Sequence, residues 1–372
     1  MRLKQLSVSH FRNIEHAKLL DLADVNFIHG LNGSGKTSLL EALHTLSISH
    51  SFRTRKIKSM IQAAQDALLV RGELEDIDGL EGQWLAVQRS ATDGTLVKFR
   101  GERLGSVGEM AGILPVQLVN PAAFALIEGS PADRRQFLDW SVFHVKHLHF
   151  YSLWIRYRKA LQQRNSLLRR GKIDRSLLAV WDRELVACGE KINESRQGQF
   201  DALLALFFEV YAKLSPEFDE QGGVFGGEVT LRFSSGWDAQ LSLAEALAAS
   251  LETDLSQGFT RPGPHRADLS VRVDGVQAAE VLSRGQTKTL VCALKIAQLL
   301  MLEQSGVVGI VLIDDLPAEL DIVRRRALFR ALASLKTQVF ATSITAEELS
   351  GDWCSGKSVK RFHVEHGRFT GV

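Results

Sequence analysis

At 372 residues, with 45% hydrophobic and 24% charged residues, the chain can bury a large core and is long enough to divide into two lobes. A formal net charge of +2 is too small to establish nucleic-acid binding, so any such role must rest on where the cations sit. Three widely spaced cysteines, Cys188, Cys292 and Cys354, argue against a disulfide framework or zinc site; no apolar run approaches a membrane span, and MRLKQLSVSH lacks a leader's apolar segment, so a reduced cytoplasmic location without membrane contact is expected.

In chain order, residues 3–119 read as one half of an α/β domain, with short alternating strands about one helix. The apolar stretch VNFIHG at 25–30 is a strand running into GLNGSGKT, after which Leu39, Ala42, Leu43 and Leu46 recur at helical spacing. A strand, a glycine-rich loop and a helix N-terminus aim backbone N–H groups and the positive helix end at one spot, which suits a polyphosphate. The candidate nucleotide-binding residues are therefore Gly30, Leu31, Asn32, Gly33, Ser34, Gly35, Lys36, Thr37 and Ser38. Lys36 is expected to reach the β- and γ-phosphates and Thr37 to bring its hydroxyl to Mg2+. Further strands are predicted at 67–74, 82–88 and 95–99.

From Pro131 to about residue 214 the periodicity turns helical, with Ser130 as N-cap, Pro131 at the first helical position and Asp133 in the first turn. Strands return at 228–233 and 268–273. LSRGQ at 282–286 opens a helix whose Leu290, Leu294, Ala297 and Met301 share one face. Ser283, the N–H of Gly285, and Gln286 make an anion site there with no phosphate of its own to hold, or else an ordinary serine cap. The apolar run 307–313 reads as a buried parallel strand ending in Asp314 and Asp315. Asp314 would hold Mg2+ through water and Asp315 would orient or deprotonate an attacking water, unless the pair only caps the following turn. The three motifs in this order describe an ATPase that completes its site by dimerising.

The chain is accordingly divided into 1–125, the N-terminal part of an ATPase head; 126–220, a helical second lobe; and 221–372, the rest of the head. Candidate contacts to DNA phosphates are Arg53, Arg55 and Lys56, with Lys58, in one loop. A second group, Arg156, Arg158, Lys159, Arg164, Arg169, Arg170, Lys172 and Arg175, loads a helical hairpin. A solvated helix face is the other explanation for such runs. His144, His147 and His149 lack a carboxylate or cysteine at ligand spacing, so no metal site is expected of them. GPHRADL at 263–269 predicts a tight turn, with no chemical role assigned to it.

These residues resemble ABC-type ATPase heads, with an α/β fold of mixed sheet and an inserted helical lobe. The likeness narrows to the RecF family through FRNIEHAKL at 11–19, NGSGKTSLLEAL at 32–43, GSPADRRQFLDW at 129–140, GPHRADL, LSRGQTK at 282–288 and IDDLPAELD at 313–321. The resemblance implies ATP and Mg2+ as cofactors and an ATP-dependent homodimer with weak, DNA-stimulated ATPase activity. It also implies sequence-independent binding of single- and double-stranded DNA at gaps. RecR and a recombinase are implied as partners, in recombinational repair, replication restart and the SOS response.

Some positions depart from the general ABC pattern. Asp315 stands where most such heads have Glu, so slow hydrolysis is expected. No histidine follows the strand 338–342, leaving Thr342 or Ser343 as substitutes, and the Q-loop position is either Gln117 or Asn120. A D-loop-like Glu319-Leu320-Asp321 is present. The alternative function is the nucleotide-binding motor subunit of an ABC transporter, which shares all three head motifs; DNA-stimulated ATP turnover separates the two.

Overall fold

A computed structural model describes residues 1–75, 82–169, 174–214, 227–315, 321–346 and 356–372. It forms two compact units: Met1–Ala123, Glu209–Val224 and Lys288–Val372 make the first, and Phe124–Phe208 with Phe225–Thr287 make the second.

The first unit contains two six-stranded sheets. One is antiparallel in the order β2-β1-β4-β5-β6-β7, from β1 (Arg2–Phe11), β2 (Ile14–Leu19), β4 (Ala67–Glu75), β5 (Gln83–Ser90), β6 (Gly94–Phe99) and β7 (Glu102–Arg103). Its strands alternate, so Leu6, Val8, Val70, Leu85 and Val87 face the core while their neighbours face outward. The other runs β15-β14-β3-β13-β12-β8, built from β3 (Val25–His29), β8 (Val116–Val119), β12 (Ile310–Ile313), β13 (Gln338–Ser343), β14 (Val359–Glu365) and β15 (Arg368–Gly371). All its pairings are parallel except β14 with β15. Every residue of β12 and β13 is buried, as expected of parallel strands covered on both faces. α1 (Lys36–Ile48) lies in the core with Leu39, Ala42, Leu43 and Leu46 all at 0% exposure. The run 307–313 is shorter as a strand than its composition suggests, because the Val307 N–H is taken by the Leu302 carbonyl at 3.0 Å and closes the preceding helix.

The second unit carries α4 (Pro131–Leu168) and α5 (Arg175–Leu214) as far as Phe208, the last residues of α5 being counted with the first unit; α2 (Val107–Ile113) of the first unit and α3 (Ala125–Glu128) precede them. Ser130 caps α4 in a reciprocal capping box with Asp133, whose carboxylate accepts the Ser130 N–H at 2.8 Å. The unit also holds a three-stranded sheet of β9 (Val229–Ser234), β10 (Asp268–Val273) and β11 (Val276–Gln277), and the helix Leu243–Gln257.

Here the structure differs from the division read from sequence, which assigned all of 221–372 to the head. Among the described residues β9 and β10 pair only with each other and β11, and Leu243 and Leu247 join a core with Val142, Leu153 and Tyr157 of α4 and Leu185 and Ile192 of α5. Residues 225–287 therefore belong with the helices.

Buried ion pairs tie that unit together. Arg164, counted among the basic face of the hairpin, is instead fully buried, bonded to Asp182 at 2.6 Å, Asp254 at 2.7 Å and Thr260 at 2.9 Å. Arg156 is engaged by Glu184 at 2.8 Å. Two stretches quoted above from sequence also hold each other. Arg134 is bidentate to Asp268, Arg135 donates to the Ala267 carbonyl, and Arg196 joins Asp139 to the Pro264 carbonyl. GPHRADL is thus a structural joint. Gly263 has φ +140 and a Cβ there would meet the Tyr157 hydroxyl at 2.4 Å, so the turn requires glycine.

Candidate nucleotide-binding site

β3 ends at His29, and the chain turns sharply into the glycine-rich loop. At Gly30, with φ +158, a Cβ would lie 2.2 Å from the Val364 carbonyl of β14, so only glycine lets the loop leave the sheet here. The Gly30 N–H donates to the Ile344 carbonyl at 3.2 Å, and the Gly367 N–H, from the β14–β15 turn, donates to the Ser34 carbonyl at 2.7 Å. On the other side Asn13, in the β1–β2 turn, donates to the Gly33 carbonyl at 3.1 Å and accepts the Ser38 hydroxyl at 2.8 Å. Two hairpin turns from opposite ends of the chain therefore hold the loop.

α1 begins with Gly35 as N-cap and no side-chain cap, which leaves its positive end facing the space above the loop. Lys36, 7% exposed, donates from Nζ to the carbonyls of Gly30 at 2.6 Å and Leu31 at 3.1 Å. A cavity of about 630 Å3 opens here, lined by Asn32, Gly33, Gly35, Lys36, Thr37 and Ser38 on one side. Arg12, Asn13, Arg53, Ser59, Ile61, Asp314 and Asp315 complete its wall. All of these lining residues belong to the first unit.

β3 and β12 are not neighbours; β13 lies between them, with Thr342 opposite Ile28. Thr37 nevertheless donates its hydroxyl to Oδ1 of Asp314 at 2.9 Å. From the intervening strand, Thr342 donates to the same oxygen at 3.1 Å and accepts the Asp315 N–H at 2.8 Å. Ser343 turns elsewhere, onto the Thr345 carbonyl. Asp315 adopts a left-handed φ of 52°, an uncommon backbone state for a residue with a side chain. Burial pushes the Asp314 carboxyl above its usual range, and the Asp315 charge adds to this, against the hydrogen bonds from Thr37 and Thr342 and the positive charge of Arg53.

Arg53, read from sequence with Arg55, Lys56 and Lys58 as a contact to DNA phosphates, is exposed as they are but also stands in the wall of the cavity, 4.0 Å from the fully buried Glu41. Arg12 is held against the same Glu41 by two bonds of 2.8 and 2.6 Å and donates to the Ser59 carbonyl at 2.8 Å. Sequence reasoning missed Arg12 and Asn13 as cavity residues; the polar FRN turn just before the glycine-rich loop was the available signal. Arg169 is exposed and donates to the Gly258 carbonyl at 3.3 Å, whereas Arg170 and Lys172 lie outside the described residues, as do Glu319 and Leu320.

Of the two Q-loop candidates, Gln117 donates to Gln298 in the interior at 2.7 Å. Asn120 follows Val119, which pairs with Ile313, so Asn120 stands beside Asp314 in register. Ser283, Gly285 and Gln286 belong to the second unit. There the Ser283 hydroxyl accepts the Gln286 N–H at 3.3 Å and the Gln286 side chain accepts the Ser283 N–H at 2.8 Å, a reciprocal cap at the start of the helix Arg284–Gln304. Ser283 is exposed. Among the described residues no group of three or more His, Cys, Asp and Glu is arranged to hold a metal, and no helix is long and apolar enough to cross a membrane.

The donor set around Asp314 fits Mg2+, a hard cation that takes oxygen ligands: one hydroxyl and one carboxylate oxygen already meet there, beside a second carboxylate.

Comparison with known proteins bears on the family and the fold. Residues 2–367 match the family described as RecF/RecN/SMC N terminal domain. The chain is similar, at 43% identity over 370 residues, to the DNA replication and repair protein RecF of Marinomonas sp. (strain MWYL1), covering 100% of this chain and 98% of that one. It superposes on the solved recombination mediator protein RecF-ATPrS in the RecFOR pathway with a TM-score of 0.83 and 27% identity, covering 100% and 98% of the two chains. An SmcHead bound to the C-winged helix domain of ScpA gives a TM-score of 0.59 at 15% identity, covering 100% and 98%, and shows the shared mixed α/β head fold.

Proposed function

The chain belongs to the RecF family of ATP-binding, ABC-type heads, and from that premise we propose that it is an ATP-dependent, dimerising DNA clamp that hydrolyses ATP slowly to reset itself. The observation that carries this reading is the meeting of Thr37 with Asp314 at the mouth of the cavity that contains Lys36. In that arrangement the loop N–H groups and Lys36 take the β- and γ-phosphates, and Thr37 and Asp314 hold Mg2+. The cation supplies charge neutralisation between the phosphates when bound. Asp315, beside Asp314, orients or deprotonates the attacking water. Its side chain is one methylene shorter than the glutamate common in such heads, which supports slow turnover.

Ser283, Gly285 and Gln286 complete the site of a second subunit in this proposal, since their exposed helix start has the N–H groups and hydroxyl to meet a γ-phosphate. DNA is the substrate the clamp closes on, single- or double-stranded, at gaps. Exposed Arg55, Lys56, Arg158, Lys159 and Arg169 supply sequence-independent phosphate contacts. Recombinase loading, with RecR as partner, follows from the family. Purified protein tests the proposal: ATP turnover should rise when DNA is added, and turnover indifferent to DNA would remove the clamp mechanism. The match over residues 2–367 leaves the transporter-subunit reading without support.

A further inference from the structure

The outward face of the antiparallel sheet carries an alignment of charge that the sequence does not display, because its four cations come from four separate strands of the chain. Register places Lys18 opposite Ser7, Ser7 opposite Arg71, Arg71 opposite Ala86, Ala86 opposite Lys98, and Lys98 opposite Arg103. One continuous cross-strand row therefore reads Lys-Ser-Arg-Ala-Lys-Arg from β2 to β7. Lys18, Arg71, Lys98 and Arg103 are all exposed, and the two residues between them are small. At about 4.8 Å per strand the row spans roughly 24 Å.

Among the described residues none of the four forms an ion pair; Arg71 lies 4.8 Å over the ring of Trp84, its diagonal neighbour, which props the guanidinium on the sheet surface. The nearest acid on this face, Glu73, lies two residues from Arg71 on β4 and is engaged by Gln5; Glu75, two residues further on, is paired with Lys4. A structural sheet face normally mixes signs across adjacent strands, since like charges on neighbouring strands are destabilising, and Lys98 beside Arg103 breaks that habit.

We propose that this row is a docking surface for the phosphate backbone of duplex DNA, an extension of the DNA-binding reading on which it rests. The argument is charge complementarity on a flat support. A rigid polyanion lying across the sheet meets cations spaced along a line, with small Ser7 and Ala86 giving no side chain to hold it away. Phosphate contact of this kind needs no base readout and is worth about 0.9 in the slope of log affinity against log salt for each phosphate neutralised.

The test is a quadruple variant, Lys18→Gln, Arg71→Gln, Lys98→Gln and Arg103→Gln, titrated with a fluorescent 30-base-pair duplex over a salt series in the presence of ATP. A control variant, Arg183→Gln, Lys191→Gln, Arg326→Gln and Lys336→Gln, makes the same change in net charge at exposed positions elsewhere. The row variant should bind duplex on the order of 100-fold more weakly near 0.1 M salt and lose up to about 3.6 from the slope, with ATP affinity unchanged; the control should bind as wild type. Equal losses in both variants would reduce the row to a general charge effect and overturn the proposal, and so would an unaltered row variant. Loss of poly-glutamate binding with duplex binding intact would reassign the surface to an acidic protein. Failure of the wild type itself to bind DNA would instead remove the clamp reading along with the row.

Discussion

The Thr342 hydroxyl stands 3.1 Å from Oδ1 of Asp314, on the strand that separates the glycine-rich loop from the acidic pair. Since it also accepts the Asp315 N–H, one buried hydroxyl fixes both acids. Removing it leaves a backbone donor without its partner and lets the Asp314 carboxylate turn. Thr342→Val should cost about 1–3 kcal/mol of stability and at least about tenfold in ATP turnover. Thr342→Ser should restore much of the turnover. Denaturation and steady-state hydrolysis measure the two effects, and a Val variant with wild-type turnover would deny Thr342 any part in the chemistry.

The composite site makes a mixing prediction. Ser283→Arg places a bulky cation where a partner's γ-phosphate is proposed to sit, so nucleotide binding should persist while ATP-dependent dimerisation and turnover fail. Lys36→Met should lose nucleotide affinity and turnover. A mixed dimer of the two retains one intact composite site, formed by Lys36 of the first variant and Ser283 of the second. Sedimentation with ATP and turnover of the mixture read this out; normal dimerisation by Ser283→Arg alone would make LSRGQ a helix cap and nothing more.

Arg164 offers a stability prediction. It and Asp254 are both fully buried, with Asp182 at the edge of the pair. Arg164→Met strands the Asp254 charge and should destabilise the protein by about 3–5 kcal/mol, whereas exposed Arg158→Met should change little. Urea denaturation followed by tryptophan fluorescence compares them.

His265 gives a pH dependence. Burial lowers its pKa from 6.5 to about 4, with Arg266 and Arg135 adding to the shift against the Thr260 carbonyl. Its Nδ1 accepts the Tyr157 hydroxyl at 2.7 Å and its Nε2–H meets the Thr260 carbonyl at 3.0 Å, which suits the neutral ring. Between pH 6.5 and about 4 the unfolded chain binds a proton that the folded chain refuses, so stability falls as pH drops through that window, by roughly 3 kcal/mol in total. Above pH 6.5 the contribution is flat. His265→Gln should shrink the difference between urea midpoints at pH 7 and pH 4.5; an unchanged difference would place the titration elsewhere.

What sequence reveals of this molecule is mainly what is local. The turn from β3 into α1, the capping box at Ser130 and the buried strand before Asp314 each depend on residues within a few positions of one another. The rest depends on distant pairings. Arg164 looks like any cation of a solvated hairpin until Asp254, 90 positions away, is brought against it. Arg53 separates from Arg55 and Lys56 only through Glu41 and the cavity wall. Residues 225–287 read as strands returning to a head because two strands look alike whichever sheet they enter; the partners decide. The β14–β15 hairpin, which sets the sheet beside β3, was not read from the sequence; its place depends on Val359–His363 pairing with a strand more than 300 positions away.

The strand that launches the glycine-rich loop is made early in synthesis, yet it lies between β13 and β14, and the loop itself is latched by Ile344 and Gly367. On the ribosome the GLNGSGKT segment thus emerges long before the strands that shape it. A nascent chain ending short of residue 338 has the motif but neither flanking strand, and cannot present a formed phosphate cradle. The cradle is thus assembled from strands far apart in sequence, and GLNGSGKT without β13 and β14 lacks the Ile344 and Gly367 contacts that shape it.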